Sequence, residues 1–378
     1  MRVVIFLGYN NPRTHKRGPE NVIETQAKAL GSNTRKFYIF FDERSSVFRW
    51  NDIVCIGIQK GLTKFLKLNA IAFRILRTAK GRNDCAIIHS HYPQMSLLLY
   101  RNTELLTVHD GLLYMKECFN QRYLFNARYL WVFSIIERLA YQRTRRVHCN
   151  SRFTYANSQL PKVGKSATVI YCSTPLERFQ SIKEVCAQSA RARKLSFSVR
   201  SMEPRARIDL VVEMASRAQE QALNIDFVIA GKGPLLEHYR QVVQEQKLQN
   251  LYLIGYVSDE ELAIRYRDCD CVLVPSGYGE GFGIPIIEGY LFGKPVVASD
   301  KCAIPEIIID PKYLSVNIAD VMLEKLSAVL EEQNTAIRFL DYYNRKFSNA
   351  VFCEQFAKLY DEVFGSAKLG SNLKCYSR

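Results

Sequence analysis

Short apolar runs recur along this chain, most of them rich in β-branched or aromatic residues and bounded by turn residues. Runs of this length and composition predict buried strands. We predict them at residues 3–7, 37–41, 86–89, 105–109, 147–150 and 168–171, and again at 195–199, 227–230, 251–254, 271–274 and 295–298. Helical patterns lie between several strands, most clearly at 19–30, which Pro19 opens and Gly31 ends. Alternating strands and helices predict an α/β fold with parallel sheets.

A polar, Arg-rich stretch at residues 180–194 separates the two series of strands. A chain of 378 residues is also long enough for two domains, each with its own core. We therefore expect an N-terminal domain at 1–189 and a C-terminal domain at 190–346, with a cleft between them. A last helix at about 347–365 can pack back onto the first domain.

The segment GEGFGIPIIEGYLFGKPVVAS, residues 279–299, carries the most specific chemistry. It follows the strand run CVLVP, passes a glycine-rich turn, enters a short helix and returns to a strand. Gly281 and Gly283 allow the backbone to approach a ligand closely. The unpaired N–H groups of the first helical turn form a site for phosphate anions. Glu280 precedes this helix and Glu288 lies within it.

This segment resembles the retaining glycosyltransferase family 4, also called glycosyl transferases group 1, whose E-x7-E motif matches Glu280 and Glu288. The likeness continues in IAGKGP at 229–234, LIGYVSDEEL at 253–262 and VIYCSTPLERF at 169–179. The resemblance implies the GT-B fold, in which two Rossmann-like domains face each other across a cleft. It also implies sugar transfer from a nucleotide-diphosphate donor to a saccharide or lipid-linked acceptor, in the biosynthesis of bacterial surface polysaccharides or glycolipids.

By the same resemblance, Glu288 binds the ribose hydroxyls of the donor and Glu280 contacts the donor sugar. The other donor-binding positions that it implies are Gly231, Gly233, Tyr256, Val257, Gly281, Phe282, Gly283 and Ile284. Retention would ordinarily need a carboxylate nucleophile, which no pattern here supplies. The family instead implies that the diphosphate leaves and the acceptor enters on one face of the sugar, by electrostatic preorganisation and without a metal or cofactor. The alternative is a common glycine turn in which the glutamate only caps or solvates a helix.

His109, in TVHDG at a strand end, matches the histidine with which the family approaches the donor sugar and phosphate. Asp110 is placed to orient its ring. Taken alone, a strand-end histidine is more often a hydrogen-bonded structural residue. His89 and His91 share one face of a strand end, and we interpret both as parts of a loop at the edge of the cleft.

The diphosphate clamp departs from the family pattern at VRSMEPRARIDL, residues 199–210. The positions that usually hold an arginine and a lysine are Ser201 and Ala206. Arg200 and Arg205, each one residue earlier, can supply the same two charges, and we count both among the candidate catalytic residues. The alternative is a pair of solvated surface arginines and a weakened site. We also expect a lysine to be tolerated in place of Ala206.

The first loop is less regular than the Gly-Gly turn of the family. Gly8 and Gly18 are its permissive positions, and both are candidates for bringing backbone amides to the donor. A glycine after the first strand is equally ordinary packing in a Rossmann-like domain.

The net charge of +15 is concentrated in the first part of the chain, where residues 1–150 hold 24 Lys and Arg against 10 Asp and Glu. Residues 53–83 have an amphipathic helical pattern with seven basic residues and no acid. Its apolar positions are Leu62, Phe65, Leu66, Ile75 and Leu76. Such a helix can lie on an anionic membrane through residues 60–82, or its apolar face can simply belong to the core.

Several function classes are disfavoured by what the sequence lacks. Without a signal peptide or a spanning apolar run, we expect a cytoplasmic protein, at most peripheral at the inner face of the plasma membrane. No helix-turn-helix, zinc-finger, RNP or KH pattern accompanies the basic charge, so we expect no nucleic-acid partner. The cysteines are scattered, and the close pair Cys269 and Cys271 favours buried, reduced thiols.

Two further functions remain to be weighed against sugar transfer. A dinucleotide oxidoreductase would need G-x-G-x-x-G after a strand, which residues 231–234 do not provide. A catalytically weakened nucleotide-sugar-binding scaffold is the stronger alternative, because Ala206 replaces the usual lysine.

Overall fold

The computed structural model describes residues 1–14, 18–97, 103–109, 128–180, 192–332 and 336–372. The chain divides into two units, which we call unit 1 (Met1–Ser173 with Asn349–Arg378) and unit 2 (Thr174–Ser348). This division lies between residues 173 and 174. The boundary expected at 189/190 falls within residues 181–191, outside the described residues.

Unit 1 is built on an eight-stranded sheet with the order β3-β4-β2-β1-β5-β6-β7-β8. Its strands are β1 (Arg2–Leu7), β2 (Thr34–Asp42), β3 (Ser46–Trp50), β4 (Ile53–Gln59), β5 (Cys85–Ser90), β6 (Leu105–Val108), β7 (Arg146–Cys149) and β8 (Thr168–Val169). All neighbours pair in parallel except β3, which is antiparallel to β4. Its helices are α1 (Gly18–Lys28), α2 (Lys64–Gly81), α3 (Pro93–Leu97), α4 (Arg128–Arg143), α5 (Arg152–Asn157) and, from the end of the chain, α13 (Asn349–Asn372).

Helices cover both faces of this sheet, as the apolar character of β1 requires. Because successive strand residues point to opposite faces, β1 serves two cores at once. Val3, Ile5 and Leu7 pack with residues of α2. Val4 and Phe6 pack in the cluster that includes residues of α1 and α13.

Unit 2 has a six-stranded, fully parallel sheet with the order β11-β10-β9-β12-β13-β14. Its strands are β9 (Lys194–Val199), β10 (Ile225–Ala230), β11 (Leu251–Gly255), β12 (Cys271–Val274), β13 (Val296–Ser299) and β14 (Leu314–Ser315). Its helices are α6 (Ile208–Glu220), α7 (Leu236–Glu245), α8 (Asp259–Asp268), α9 (Ile284–Leu291), α10 (Ile304–Ile307), α11 (Ala319–Leu330) and α12 (Ala336–Lys346). Short 3₁₀ turns lie at Pro161–Val163, Pro175–Phe179, Pro204–Ala206 and Pro311–Tyr313.

The basic segment at 53–83 is not a helix throughout, which corrects our expectation. Residues 53–59 form β4, which pairs with β2 on one side and with β3 on the other, and the helix α2 begins only at Lys64. The run IVCIGIQ is apolar and rich in β-branched residues, so its strand is explained by its composition. The charge pattern alone does not distinguish this strand from the helix that follows it.

Two other features bear on the classes of function. Cys269 and Cys271 are buried and are not joined by a disulfide, and burial raises the pKa of both thiols. Within the described part of the chain, no helix is both long enough and apolar enough to cross a membrane.

Candidate active site

The glycine-rich turn of unit 2 connects β12 to α9. Gly283 caps α9 with φ +101°, a left-handed conformation that favours glycine, and Ile284 begins the helix. Pro285 occupies the first turn, where its missing N–H costs nothing. The backbone N–H of Ala303 donates to the carbonyl oxygen of Glu280 at 3.2 Å, which anchors the turn from the opposite side.

Glu288 lies on α9 and is buried, with about 5% of its surface exposed. The hydroxyl of Thr174 donates to its Oε1 at 2.9 Å, and the hydroxyl of Tyr266 donates to its Oε2 at 2.8 Å. Burial raises the pKa of Glu288 to about 7, although both hydrogen bonds oppose that shift. Each carboxylate oxygen has two lone-pair sites, so Glu288 retains capacity to accept further hydroxyl groups.

Glu280 forms an ion pair with Arg200, and both side chains are largely buried. The guanidinium Nη1 of Arg200 lies 2.8 Å from Oε2 of Glu280, with side-chain exposures of 6% and 14%. The Nε of Arg200 is buried and has no hydrogen-bond partner among the described residues. The structure therefore brings the first glutamate of E-x7-E and one predicted clamp arginine together, and one donor of that arginine stays available.

Arg205 holds the glycine-rich turn from the side of β9. Its Nη1 donates to the carbonyl oxygen of Gly279 at 3.0 Å, and its own carbonyl oxygen accepts from the N–H of Gly277 at 2.9 Å. Its Nε also pairs with Glu203 at 3.0 Å. The side chain of Arg205 is about 40% exposed, so this arginine contacts the turn and also remains partly solvated.

Ala206 is completely buried in the 3₁₀ turn beside these arginines. This burial argues against our expectation that a lysine would be tolerated there, because an ammonium buried without a partner is costly. The neighbouring Arg207 adopts φ +50° and pairs with Asp209, so it turns towards the start of α6.

Gly231 and Gly233 permit a close approach of two backbones. A Cβ on Gly231, which has φ +147°, would lie 1.8 Å from the carbonyl oxygen of Arg200. A Cβ on Gly233 would lie 2.5 Å from the carbonyl oxygen of Met202. The observed role of both glycines is therefore to seat the segment that carries Arg200, and direct contact with a donor stays a prediction.

Tyr256 and Val257 lie in the loop between β11 and α8. Tyr256 is exposed, and the ammonium of Lys232 lies 4.5 Å from the centroid of its ring. Val257 is half-buried. Phe282, in contrast, is buried and packs edge-to-face on Phe347 at 6.1 Å between ring centroids, so only its backbone is suited to a ligand.

The two glycines of the first loop have different surroundings. A Cβ on Gly8 would lie 2.3 Å from the hydroxyl oxygen of Tyr38, so this glycine is required by packing. Gly18 is the first residue of α1. The close contact with Tyr38 is therefore sufficient to explain a glycine at position 8.

His109 follows β6 in unit 1 and is held by three contacts. Its carbonyl oxygen accepts from Asn150 Nδ2 at 3.2 Å and from the hydroxyl of Thr154 at 3.4 Å. Its Nε2 lies 2.9 Å from Nδ1 of His91. Burial, and then the nearby His148, lowers the pKa of His109 to about 3, so the ring is neutral at physiological pH. Asp110, predicted to orient this ring, lies outside the described residues.

His89 is not part of a loop, which corrects our interpretation of that residue, whereas His91 does lie in the segment that follows the strand. His89 lies within β5 and His91 directly follows that strand, and both are at most 1% exposed. Their rings pack at 4.7 Å between centroids. An alternating H-x-H at the end of an apolar strand is the signal from which this burial was predictable.

Sequence reasoning missed Thr174 and Tyr266, the two partners of Glu288. Thr174 lies in the segment before the second strand series and Tyr266 on α8, so both are distant from α9 along the chain. No local pattern marks a tyrosine or threonine as the partner of a carboxylate. Among the described residues, no group of three or more His, Cys, Asp or Glu side chains is arranged to hold a metal ion.

Comparison with known proteins matches residues 186–346 to the family model of glycosyl transferases group 1. An uncharacterized glycosyltransferase of Methanocaldococcus jannaschii is 25% identical over 247 residues, which cover 63% of each chain. Phosphatidyl-myo-inositol mannosyltransferase of Mycobacterium tuberculosis is 24% identical over 221 residues, 55% of this chain and 57% of that protein. The matched region thus spans about three fifths of these relatives.

Solved structures share the fold over almost the whole chain. Sucrose-phosphate synthase from Thermosynechococcus elongatus has a TM-score of 0.76 at 16% identity, covering 97% of this chain and 100% of that one. HepE of Anabaena, in complex with UDP and glucose, has a TM-score of 0.69 at 15% identity, covering 95% and 99%. Together with the E-x7-E segment in unit 2, these findings show that the chain has the GT-B fold and that its residues 186–346 are similar to the glycosyl transferases group 1.

Proposed function

We propose that this protein is a retaining glycosyltransferase that moves a sugar from a nucleotide-diphosphate donor to a saccharide or lipid-linked acceptor. The observation that carries this proposal is the placement of Glu280 in the glycine-rich turn and of Glu288 within the helix that follows it, each held by its own partners. The relatives support it, since HepE was solved with UDP and glucose and the mycobacterial relative is a mannosyltransferase.

Donor binding is assigned to unit 2. Glu288 accepts the ribose hydroxyls with the lone pairs that Thr174 and Tyr266 leave unused. The free N–H groups at the start of α9 hold the diphosphate. Arg200, whose Nε lacks a described partner, supplies a full positive charge beside them.

Catalysis is assigned to electrostatic preorganisation. As the glycosidic bond breaks, negative charge grows on the leaving diphosphate, and Arg200, Arg205 and the α9 amides stabilise it. Glu280 contacts the donor sugar, and the resemblance assigns His109 to the same sugar. The acceptor hydroxyl then enters on the face from which the diphosphate leaves, and a phosphate oxygen takes its proton. No divalent metal is required by this scheme.

A donor-binding scaffold without turnover is the second candidate. It is favoured by one observation, which is that both predicted clamp arginines already have protein partners, Glu280 for Arg200 and the carbonyl of Gly279 for Arg205. Binding without transfer would be the result if these contacts persist when the donor is bound.

The basic surface of α2 supports a proposal about the partner of unit 1. Leu66 and Phe73 are exposed apolar side chains on this helix, at 70% and 57% exposure, and Leu62 just before it is fully exposed. Lys67 and Arg74 are exposed beside them. The opposite face, with Leu68, Ala72 and Ala79, belongs to the core. We therefore propose that α2 rests on an anionic membrane surface, where a lipid-linked acceptor would be found.

The experiment that tests the function is a panel of nucleotide sugars, assayed for thermal stabilisation, donor hydrolysis and transfer, each with and without EDTA. We expect one donor to stabilise the protein and to be turned over, equally in EDTA, with the anomeric configuration retained by product NMR. The Glu280→Gln/Glu288→Gln double variant serves as the negative control. Stabilisation without turnover would establish the scaffold, and an inverted product would exclude the retaining mechanism.

A further inference from the structure

Four buried or partly buried histidines line one region of the sheet in unit 1. His89 lies near the end of β5, His91 follows that strand, His109 follows β6, and His148 lies on β7. Burial lowers the pKa of all four, so each imidazole is neutral and carries one ring proton at physiological pH. Which nitrogen carries that proton is decided by the hydrogen-bond partners.

The hydrogen-bond partners determine the tautomers of His148 and His89. The Nε2 of His148 lies 2.9 Å from the carbonyl oxygen of Ile170, which can only accept, so His148 is protonated on Nε2. Its Nδ1 therefore accepts from the hydroxyl of Thr107 at 3.1 Å. The oxygen of Thr107 in turn accepts from Nε2 of His89 at 2.7 Å. The proton of His89 is thus on Nε2, and its Nδ1 accepts from the hydroxyl of Tyr360 at 2.9 Å.

The pair formed by His91 and His109 is separate from that chain. Nδ1 of His91 and Nε2 of His109 are 2.9 Å apart, with the ring planes within 25° of each other. Nε2 of His91 is buried and has no hydrogen-bond partner among the described residues. Its surroundings are aromatic, with the ring of Phe6 at 6.2 Å between centroids. Two neutral rings therefore share one proton across a single hydrogen bond.

Two arrangements of that proton exist, and they leave different groups unsatisfied. If Nε2–H of His109 donated, the proton of His91 would be on its buried Nε2, an N–H without an acceptor. If Nδ1–H of His91 donates, Nε2 of His91 carries no proton, and only its lone pair remains unused. Buried N–H groups without an acceptor are rarer in proteins than acceptors that are not fully used. The second arrangement is therefore favoured.

We propose that His91 is a positioning residue, which fixes His109 as the tautomer with its proton on Nδ1 and thereby makes His109 a hydrogen-bond donor to the ligand. With Nε2 engaged by His91, the remaining nitrogen of His109 is Nδ1, which has no hydrogen bond to any described residue. A neutral N–H donor suits an oxygen of a sugar or phosphate, because it stabilises developing negative charge without transferring a proton. This last step rests on the proposed function, whereas the tautomer of His109 does not.

Ring-nitrogen NMR on histidine-labelled protein tests the tautomer directly, with His109→Gln used to assign the signals. We expect His109 to be protonated on Nδ1 and unprotonated on Nε2 in the full chain. In His91→Phe, which keeps a ring of similar size but has no nitrogen, His109 should lose this fixed pattern. In His91→Asn, whose amide can donate from nearly the position of Nδ1, the pattern should be kept. Tyr360→Phe is the matched control, because it should alter His89 and leave His109 unchanged.

Kinetics with the cognate donor provide the second readout. We expect His91→Phe to lower kcat about tenfold with donor affinity unchanged, the size typical of losing a group that orients a functional histidine, and His91→Asn to recover most of it. A proton on Nε2 of His109 in the wild type, or a pattern unaffected by His91→Phe, would overturn the proposal. If no nucleotide sugar is turned over, the proposed function fails, and the NMR result still decides the role of His91.

Discussion

The hydroxyl of Tyr266 on α8 donates a hydrogen bond of 2.8 Å to Oε2 of Glu288 on α9. The same carboxyl group receives the hydroxyl of Thr174 on its other oxygen, so it accepts from two neutral donors and forms no ion pair with any described residue. This arrangement holds the second glutamate of E-x7-E in one orientation. The protonation of that glutamate therefore depends on pH, and its orientation depends on these two hydroxyl groups.

We expect Glu288→Gln to weaken donor binding by about 2–3 kcal/mol, because a carboxylate that accepts ribose hydroxyls makes charge-assisted bonds that an amide cannot replace fully. Calorimetry with the cognate nucleotide measures the loss. Tyr266→Phe, which removes one orienting hydroxyl but keeps the carboxylate, should show a smaller loss. Unchanged affinity in a folded Glu288→Gln protein would mean that the motif does not bind the donor.

The stability of unit 2 should fall as pH rises from about 4.5 to about 7. The pKa of Glu288 is raised from 4.5 to about 7, so the folded state binds the proton more tightly than the unfolded state does. The stabilisation is complete below the unfolded pKa and is lost as pH rises through the folded pKa, and a shift of this size corresponds to about 3 kcal/mol.

Hydrogen exchange of the α9 and β12 amides is the suitable measurement, because both tryptophans, Trp50 and Trp131, lie in unit 1. Opening free energies, corrected for intrinsic exchange, are compared at pH 5 and pH 8. Glu288→Gln should remove most of the pH dependence, and the exposed Glu324→Gln on α11 should not. An equal slope in all three proteins would assign the effect to other groups.

Arg200→Ala and Arg205→Ala should each lower turnover by roughly two to three orders of magnitude, as expected when one contact to transition-state charge is lost. Each also releases a contact to the glycine-rich turn, since Arg200 pairs with Glu280 and Arg205 binds Gly279. Steady-state kinetics measure the effect. The matched control is Arg207→Asn, because Arg207 faces Asp209 instead and asparagine tolerates its left-handed backbone. Full turnover without either arginine would place the clamp elsewhere.

His109→Ala should lower kcat about a hundredfold with little change in donor affinity, because the proposed hydrogen bond strengthens as charge develops. Kinetics and calorimetry separate the two quantities, and a melting curve reports the fold. If stability and activity fall together, the histidine is structural, with the lost ring hydrogen bond to His91 as the cause.

Anionic vesicles should bind the protein through α2, with an affinity that decreases as salt is added. Lys67→Glu/Arg74→Glu should reduce binding at least tenfold, since each basic residue near such a surface contributes about 1 kcal/mol. Lys60 is a poorer choice because it already pairs with Glu43, and the ammonium of Lys64 lies 5.1 Å from the ring centroid of Phe41.

The double variant Leu66→Ser/Phe73→Ser tests the apolar part of the same surface. Sedimentation with vesicles measures the binding of both double variants. The control is Arg240→Glu/Lys301→Glu, which changes net charge equally on exposed positions of unit 2. If that control loses as much binding as the α2 variant, attraction depends only on net charge and the assigned surface is wrong.

Local sequence predicted the parts of this protein that local physics controls. The predicted runs in both series appear as strands, including β1 and β12, because short runs of β-branched and aromatic residues pack well on a buried sheet. The turn from Gly279 to α9 was also predictable, since Gly283 must adopt positive φ and Pro285 suits a first helical turn. The class of fold and the family resemblance followed from these elements.

Only the tertiary structure decided what each side chain faces. The sequence does not show that Thr174 and Tyr266 hold Glu288, that Glu280 pairs with Arg200, or that Ala206 is buried. It also misplaced the start of α2, because the hairpin of β3 and β4 depends on pairing with β2. Spacing along a strand or helix determines which side chains share a face, whereas hydrogen-bond partners come from elements far apart in the chain. Their meeting depends on how the helices and strands pack, and that is a property of the whole unit.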